Sequence, residues 1–495
     1  MKKILSFLLL TVLVFSLFNL CSFTASAEEA NDDSTGNILV PQIRVTTENG
    51  SGTTLQKADG YVNADITIAD TDGSVLTDAV QFKVRGNSTA LTSVAKKAFT
   101  FKFAKKKDVL GMGKGKKWAL LANAFDPTLM RNYIALDFAR EMGLKFTSQQ
   151  RYVELWVDDS YRGCYVLTEP VQEGTDRVDI DIESNDGMKD FLIEREATRS
   201  ESDVTYFKTD GIRFAVSEPE EPNADQLAYI QSTMDEIMAV IKSGDRDVIA
   251  ERIDIPSFTR FYLLNELYKT VDFDFSSVFF YCKDGVLYAG PAWDYDLAAG
   301  NGNANYSATA RASTETDGLF AAERHLYKYL CSYDWFNDEI CAAYNEYSGY
   351  IENIYSEGGL MDELLNDYGE LFSRNFNDAG WSPAKWWVNV QRRPDTAFDA
   401  NVDYLRSWLR DRNEWLSAYY ALPAETHMIG DADGDGVVTI LDATVIQRVL
   451  VDFTVPSFNE KAADVDGDGL DITDATKIQR FLAELIDPYH VGEMS

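Results

Sequence analysis

At 495 residues the chain is too long for one average domain, and two or three folded units are expected. Its 80 acidic against 46 basic residues give a formal charge of -34, which excludes the basic footprint of a nucleic-acid binder and repels anionic membrane surfaces. The cysteines lack metal-type spacing and are too sparse for a disulfide scaffold; Cys331 and Cys341 either pair or stand as isolated thiols.

The first 27 residues read as a secretory signal. Lys2 and Lys3 precede an apolar run from Ile4 to Leu20, and Ala25, Ser26 and Ala27 supply the small residues of a cleavage site. Cys21 would be a lipid anchor only after a small residue, and Leu20 stands there. Residues 28–39 are polar and acidic, a disordered lead-in. No later apolar run reaches the roughly twenty residues that span a bilayer, so the mature chain is expected to be secreted and extracellular.

From about Val40 to Asp190 the period is that of strands. "ADITIAD", "AVQFKVRG", "KKAFTFKF", "RYVELWVDD" and "RGCYVLTEPV" alternate or run apolar, with β-branched and aromatic residues. One helix interrupts them, predicted to open with Asp126 as N-cap and Pro127 in its first turn and to stop at Gly143. "GMGKGKK" (111–117) lacks the ending and setting of a phosphate loop and reads as a turn. From Ala224 to Tyr268 the period turns helical, a hairpin follows ("SVFFYCK", "DG", "VLYAG"), and the chain to Tyr420 is helical and rich in Trp and Tyr. The class is α+β, with one domain over 40–422.

After a short linker (423–428), "DADGDGVVTILDATVIQRVL" returns as "DVDGDGLDITDATKIQRFL", an internal repeat that defines a separate unit over 429–488, with a tail at 489–495. A Ca²⁺ loop of twelve residues supplies oxygens from positions 1, 3, 5, 7, 9 and 12, with Gly at 6 for the turn. The first copy places Asp431, Asp433, Asp435, the Val437 carbonyl, Thr439 and Asp442 there, with Gly436 sixth. In the second, Asp464, Asp466 and Asp468 lie in place, but Asp474 falls at position 11; either the loop tightens or Asp471 contributes. Half an EF-hand, repeated, resembles a type I dockerin. The resemblance implies an all-α module with Ca²⁺ in paired loops, bound to a cohesin module of a scaffoldin on the cellulosome of an anaerobic, fibre-degrading bacterium. The repeated Ile446, Gln447, Arg448 and Ile478, Gln479, Arg480 would then offer a cohesin two similar faces.

Within the large domain, "GPAWDYDLAAGNGN" ends an apolar run in two carboxylates beside a Gly-rich segment, which suits a divalent ion on nucleotide phosphates. Earlier, "YKTVDFDFSSVFFY" puts Asp272 and Asp274 between a long helix and the hairpin. "VRGNSTA", "KKAFTFKF", "KKWALLANAFDPTLMRN", "VELWVDDSYRGCYVLTE" and "AWDYDLAAGN" together resemble the spore-coat protein H (CotH) kinase family.

That likeness implies an atypical, two-lobed kinase-like fold moving phosphate from ATP to serine on a protein acceptor, with Mg²⁺ or Mn²⁺. By the same likeness Arg85, Gly86, Asn87 and Ser88 form the phosphate-covering loop, and Lys97 or Lys102 meets the phosphates. Glu169 lies at the hinge, Asp272 is the catalytic aspartate, and Asp294 and Asp296 bind the metal. Ser277 stands where protein kinases place a metal-binding Asn, and Asp137 and Glu141 compete as partner of the lysine. Arg131 reads as a structural ion-pair partner. Two other classes compete: a carbohydrate-active component using Glu194 or Glu196, and a non-catalytic adhesion module.

Overall fold

The computed structural model describes residues 39–182, 190–197, 199, 204–381, 398–420, 428–451, 453–455, 457–466, 469–483, 485 and 489–492. The signal segment, nearly all of the lead-in and linker, the end of the tail, and Asp468 lie outside the described residues. The chain divides into two compact units, one ending at Tyr420 and one starting at Ala421.

The first unit opens with seven strands: β1 (Gln42–Thr47), β2 (Val62–Ala69), β3 (Val75–Arg85), β4 (Ala98–Asp108), β5 (Lys114–Leu121), β6 (Gln150–Val157) and β7 (Ser160–Thr168). They form a closed barrel in the order β1-β2-β3-β4-β5-β7-β6, shut by parallel pairing of β1 with β6. Closure leaves no free sheet edge. Its interior holds Phe82, Phe99, Phe101, Trp118, Leu155 and Tyr165, the inward set of alternating strands.

Two strands exceed the five expected from periodicity. The β1 strand is short and follows a polar lead-in, and β5 begins inside the Gly/Lys run taken for a turn. Only residues 111–113 turn; Lys114 already pairs with Asp108 and Gly115 with Lys107.

The first helix, α1 (Arg131–Glu141), starts later than Asp126. Asp126 instead holds the turn before it, accepting from the amides of Thr128 (2.9 Å) and Arg131 (2.8 Å). Leu129, at φ 62, keeps that turn from being helical.

A second sheet has the order β12-β11-β8-β10-β9. Its strands are β8 (Phe191–Arg195), β9 (Tyr206–Thr209), β10 (Ile212–Glu218), β11 (Val278–Lys283) and β12 (Val286–Ala289). Around it lie α2 (Ala224–Ile241), α3 (Ile255–Tyr268), α4 (Asp334–Tyr355), α5 (Leu360–Asn377) and α6 (Phe398–Tyr420), in one apolar core with α1. Asn223 and Gln226 form a capping box on α2; Asp254 caps α3 with Pro256 in the first turn. Val271, Leu297 and Ala310 join the barrel core, so the segments bearing Asp272 and Asp296 seat on the barrel.

The second unit is two loop-helix repeats, with α7 (Ile440–Val449) and α8 (Ile472–Leu482) sharing a core of Ala443, Ile446, Val465, Ala475, Ile478 and Val491. The Gly492 amide donates to the Ile429 carbonyl at 2.7 Å, closing the unit end to end. Cys164, Cys282, Cys331 and Cys341 are free thiols. Among the described residues no helix is long and apolar enough to cross a membrane.

Candidate functional site

Between the barrel and the second sheet lies a polar cleft of about 340 Å³. Its walls carry Arg85, Gly86, Asn87 and Ser88 from the end of β3, Glu194 from β8, Asp272 and Ser277 before β11, and Asp294 and Asp296 after β12. Four separate stretches of the chain thus converge there. Lys57, Arg199 and Trp293 also line it.

The loop after β3 turns sharply at Gly86 (φ 88), where a Cβ would meet Thr89 Oγ1 at 2.2 Å, so only glycine fits without rearrangement. Lys57 Nζ donates to Asn87 Oδ1 at 2.8 Å and steadies the loop tip. Arg85 lies over the Trp293 ring at 5.3 Å, and its Nη1 is buried without a hydrogen-bond partner among the described residues. A buried orphan donor at a cleft wall fits an anion.

The Asp294–Asp296 segment is held by the motif that runs from Asp126 to Asn132. Asn132 Oδ1 accepts from the Tyr295 amide at 2.5 Å, and Arg131 donates to the carbonyls of Ala298 (3.0 Å) and Ala299 (3.3 Å). Arg131 is itself paired with Asp126 at 2.6 Å in full burial, a structural ion pair. Asn301 Nδ2 donates to the Asp296 carbonyl at 2.6 Å, and Asp294 takes φ 65, in the left-handed region that Asp tolerates.

Asp272 lies in the turn Val271–Asp274 that leaves α3. His325 fastens this turn: its Nε2 bonds the Phe273 carbonyl while Nδ1 accepts from Arg195 Nε at 3.3 Å, the pattern of a neutral ring. Burial lowers His325 to about 4, in keeping with that tautomer. Asp274 is committed elsewhere, to Thr309 Oγ1 (2.6 Å) and Arg324 Nε (3.1 Å).

The electrostatics of the cleft are those of crowded acids. Burial first, then the charges of Asp294, Glu194 and Glu196, push Asp272 well above the usual carboxylate range. Burial also raises Asp294 against the pull of Arg85 and Ser277. It raises Asp296 further, with Asp294, Asp272 and Asp126 adding to the rise and Arg131 opposing it. A hard divalent ion suits such an oxygen-only donor set, and Asp294 and Asp296 could hold one. Their grouping is looser than in the second unit, however. Among the described residues, three-carboxylate groups with one oxygen each within 4.8 Å of one another occur only there.

Other predicted residues fall away from the cleft. Lys97 precedes β4, and its Nζ donates to the carbonyls of Leu91 (2.5 Å) and Ala90 (3.4 Å). Lys102 lines a separate cavity at the barrel, because strand alternation turns Phe101 and Phe103 inward and Lys102 out. Glu169 pairs with Arg177 at 2.6 Å, and burial lifts it to about 7 despite that charge. Asp137 is taken by Arg140 (2.7 Å) and Tyr350 (2.5 Å), and Glu141 is exposed.

Glu194 and Arg199 had no assigned part in this cleft. Glu194 Oε1 accepts from the Ser277 amide at 2.8 Å, and Arg199 pairs with both Glu194 and Glu196. The sequence brings Glu194 forward only as a carboxylate source for the carbohydrate-active reading and does not say which loop its strand faces.

In the second unit, the first loop coils round its own acids. Asp431 accepts from the amides of Asp435 (3.1 Å) and Gly436 (2.9 Å), and Asp435 from Val437 (2.9 Å). Asp442 is fully buried and accepts from the amides of Asp433 (3.1 Å) and Thr439 (2.7 Å), tying the start of α7 to the loop. Asp431, Asp433 and Asp435 form one of the two tight carboxylate groups, and Asp464, Asp466 and Asp474 the other. Thr439 and Asp471 are equivalent N-caps, each boxed with the Asp three residues on, so the residue lost from the second loop falls between Gly469 and Asp471.

One part of the predicted partner face needs correction. Ile446 and Ile478 have no exposed surface and belong to the core, because helical spacing turns them toward the opposite helix. Gln447, Arg448, Gln479 and Arg480 are exposed.

The family described as CotH kinase protein matches residues 82–416, and the Dockerin type I domain matches 429–483. No curated relative matches the chain. The first match spans the cleft residues from Arg85 to Asp296 and most of the chain, the second the paired loops, and the chain belongs to the CotH kinase protein family, with a type I dockerin over 429–483.

Proposed function

We propose that the large unit is an atypical kinase that transfers the γ-phosphate of ATP to a serine hydroxyl of a protein acceptor, with Mg²⁺ or Mn²⁺. The observation that carries this reading is the meeting of Asp272, Asp294 and Asp296 in one cleft beneath the Arg85–Ser88 loop. When bound, the metal neutralises charge on the phosphates being transferred. Asp294 and Asp296 hold it. Arg85 and the amides around Gly86 receive the phosphates, and Asp272, kept basic by burial and then by its acidic neighbours, takes the hydroxyl proton.

Glu194 orders the Ser277 turn beside Asp272 and is kept in place by Arg199. The barrel and the helical part take the places of the two kinase lobes. Purified protein should show a higher melting temperature with ATP and Mn²⁺ together, and label an acceptor or itself from γ-labelled ATP only with metal. Asp272→Ala should abolish transfer and leave the thermal shift nearly intact. No shift and no label would sink the reading.

A carbohydrate-active reading gains one point, since Glu194 shares a cleft with Asp294 and Asp296. The bridging Arg199 speaks against it, because it neutralises the carboxylate that would serve as acid or nucleophile. A reducing-sugar assay on xylan, pectin and cellulose distinguishes the two.

The dockerin is the anchor. Asp431, Asp433 and Asp435, with the Val437 carbonyl, Thr439 and Asp442, would hold Ca²⁺ in the first loop, and the module binds a cohesin on a scaffoldin outside the cell. Because Gln447 and Arg448 recur as Gln479 and Arg480 on exposed faces, a cohesin can dock in either of two orientations related by a half turn. Excess chelator should abolish cohesin binding, whereas Gln447→Ala with Arg448→Ala should leave most of it. Near-complete loss from that pair would show that one orientation alone is used.

A further inference from the structure

At one buried position the two repeats differ in charge. Three residues after the boxed Asp, the first repeat has Val445 in the core, and the second has Lys477, buried to the same degree. Lys477 Nζ does not leave along its stem for solvent. It pairs with Asp466 and lies 3.1 Å from Asp474 Oδ1, an oxygen that also accepts from the Val465 amide at 3.0 Å. Asp466 and Asp474 are two of the three residues whose oxygens form the tight carboxylate group of this loop. The Tyr489 ring lies 5.3 Å from the ammonium and helps cover it. Among the described residues no lysine or arginine is ion-paired with Asp431, Asp433 or Asp435 of the first loop.

This second loop is a poor fit for Ca²⁺ on two independent grounds. It is one residue short between Gly469 and Asp471, where the first loop runs from its Val437 carbonyl to Thr439. An ammonium also stands among its carboxylates, and it would have to leave against the attraction of Asp466 and Asp474 before a dication entered. We infer that Lys477 takes the cation position of the second loop, so that this dockerin binds a single Ca²⁺ and carries its second repeat on an internal ammonium. The inference rests on the calcium reading of the first loop for its count of one, but not for the role of Lys477. Three N–H donors on one charged centre can bond the loop acids without metal.

The test is a CaCl₂ titration of the full chain by calorimetry, comparing site counts between variants so that any uptake by the large unit cancels. Asp431→Ala should lose one site and Asp464→Ala none. Lys477→Val, which copies the first repeat, should gain one, and adding Asp464→Ala to it should erase the gain. Loss of a site from Asp464→Ala alone overturns the inference even if Lys477→Val does not fold. A folded Lys477→Val chain with no added site overturns it as well. If Asp431→Ala loses nothing, the calcium reading of the first loop fails instead, and the Lys477→Val count still decides the role of Lys477.

Discussion

Asp296→Asn is expected to raise the melting temperature of the metal-free protein, by on the order of 2 °C, and at the same time to abolish the stabilisation that ATP with Mn²⁺ confers. Asp296 is buried, and its charge is opposed by Asp294, Asp272 and Asp126, with Arg131 the single favourable contributor. An amide of the same shape removes the charge they oppose and keeps the packing. The sign with pH follows from the direction of the shift. A carboxyl raised above its unfolded value holds its proton more tightly when folded, so its stabilising contribution is full below the ordinary Asp range and is lost as pH rises through the folded value. Metal-free wild type should therefore weaken as pH climbs out of the acid range; Asp296→Asn should weaken less, and so should wild type with Mn²⁺. A drop in melting temperature for Asp296→Asn would mean that the carboxylate serves Arg131 and the fold, and the metal role would lose its physical basis.

How far the cleft could be read in the chain depends on what each residue needs. Asp272, Asp294 and Asp296 sit beside recognisable punctuation, a helix end and a hairpin, and local pattern was enough to bring them forward. Arg131 was legible as a structural ion-pair partner and proves paired with Asp126, but that Arg131 also bonds Ala298 and Ala299 and Asn132 bonds Tyr295, so that this motif holds the Asp294–Asp296 segment, was not. Lys97 and Lys102 resisted assignment because a strand's facing decides where a lysine goes, and facing is a property of the closed barrel. The same limit hid β5, whose first residues are Gly and Lys and whose partners lie across a turn. In the dockerin the ligand spacing was plain. Two features needed the packed helices: that Ile446 points inward and that Lys477 reaches back into its own loop.

Arg412→Met is expected to cost about 3–5 kcal/mol in chemical denaturation, the scale on which removing one partner of a buried ion pair acts. Arg412 and Glu266 have no exposed side-chain surface, and their Nη2–Oε1 distance is 2.6 Å. Arg412 also donates to the carbonyls of Glu266 (3.0 Å), Thr316 (2.9 Å) and Gly318 (3.0 Å), while Glu266 accepts from the amides of Phe320 (2.6 Å) and Ala321 (2.7 Å). The pair therefore ties α6 to the last turn of α3 and to the segment 316–321 in one network. Methionine fills the stem volume but leaves Glu266 charged and three carbonyls short of a donor. The double variant Glu266→Gln with Arg412→Met should recover part of the loss, because it removes the stranded charge as well as its partner. Four residues beyond α3's Tyr268 lies Asp272, reached through Lys269, whose Nζ bonds the Glu315 (3.0 Å) and Asp317 (2.5 Å) carbonyls of the same tied segment. Loosening this network should then lower the proposed phosphotransfer before the protein unfolds globally, and that activity measured at increasing denaturant should fall ahead of the far-UV signal in Arg412→Met but with it in wild type. A cost under about 1 kcal/mol for Arg412→Met would mean that water or repacking replaces the pair, and that the segment bearing Asp272 is held by the barrel contacts of Val271 instead.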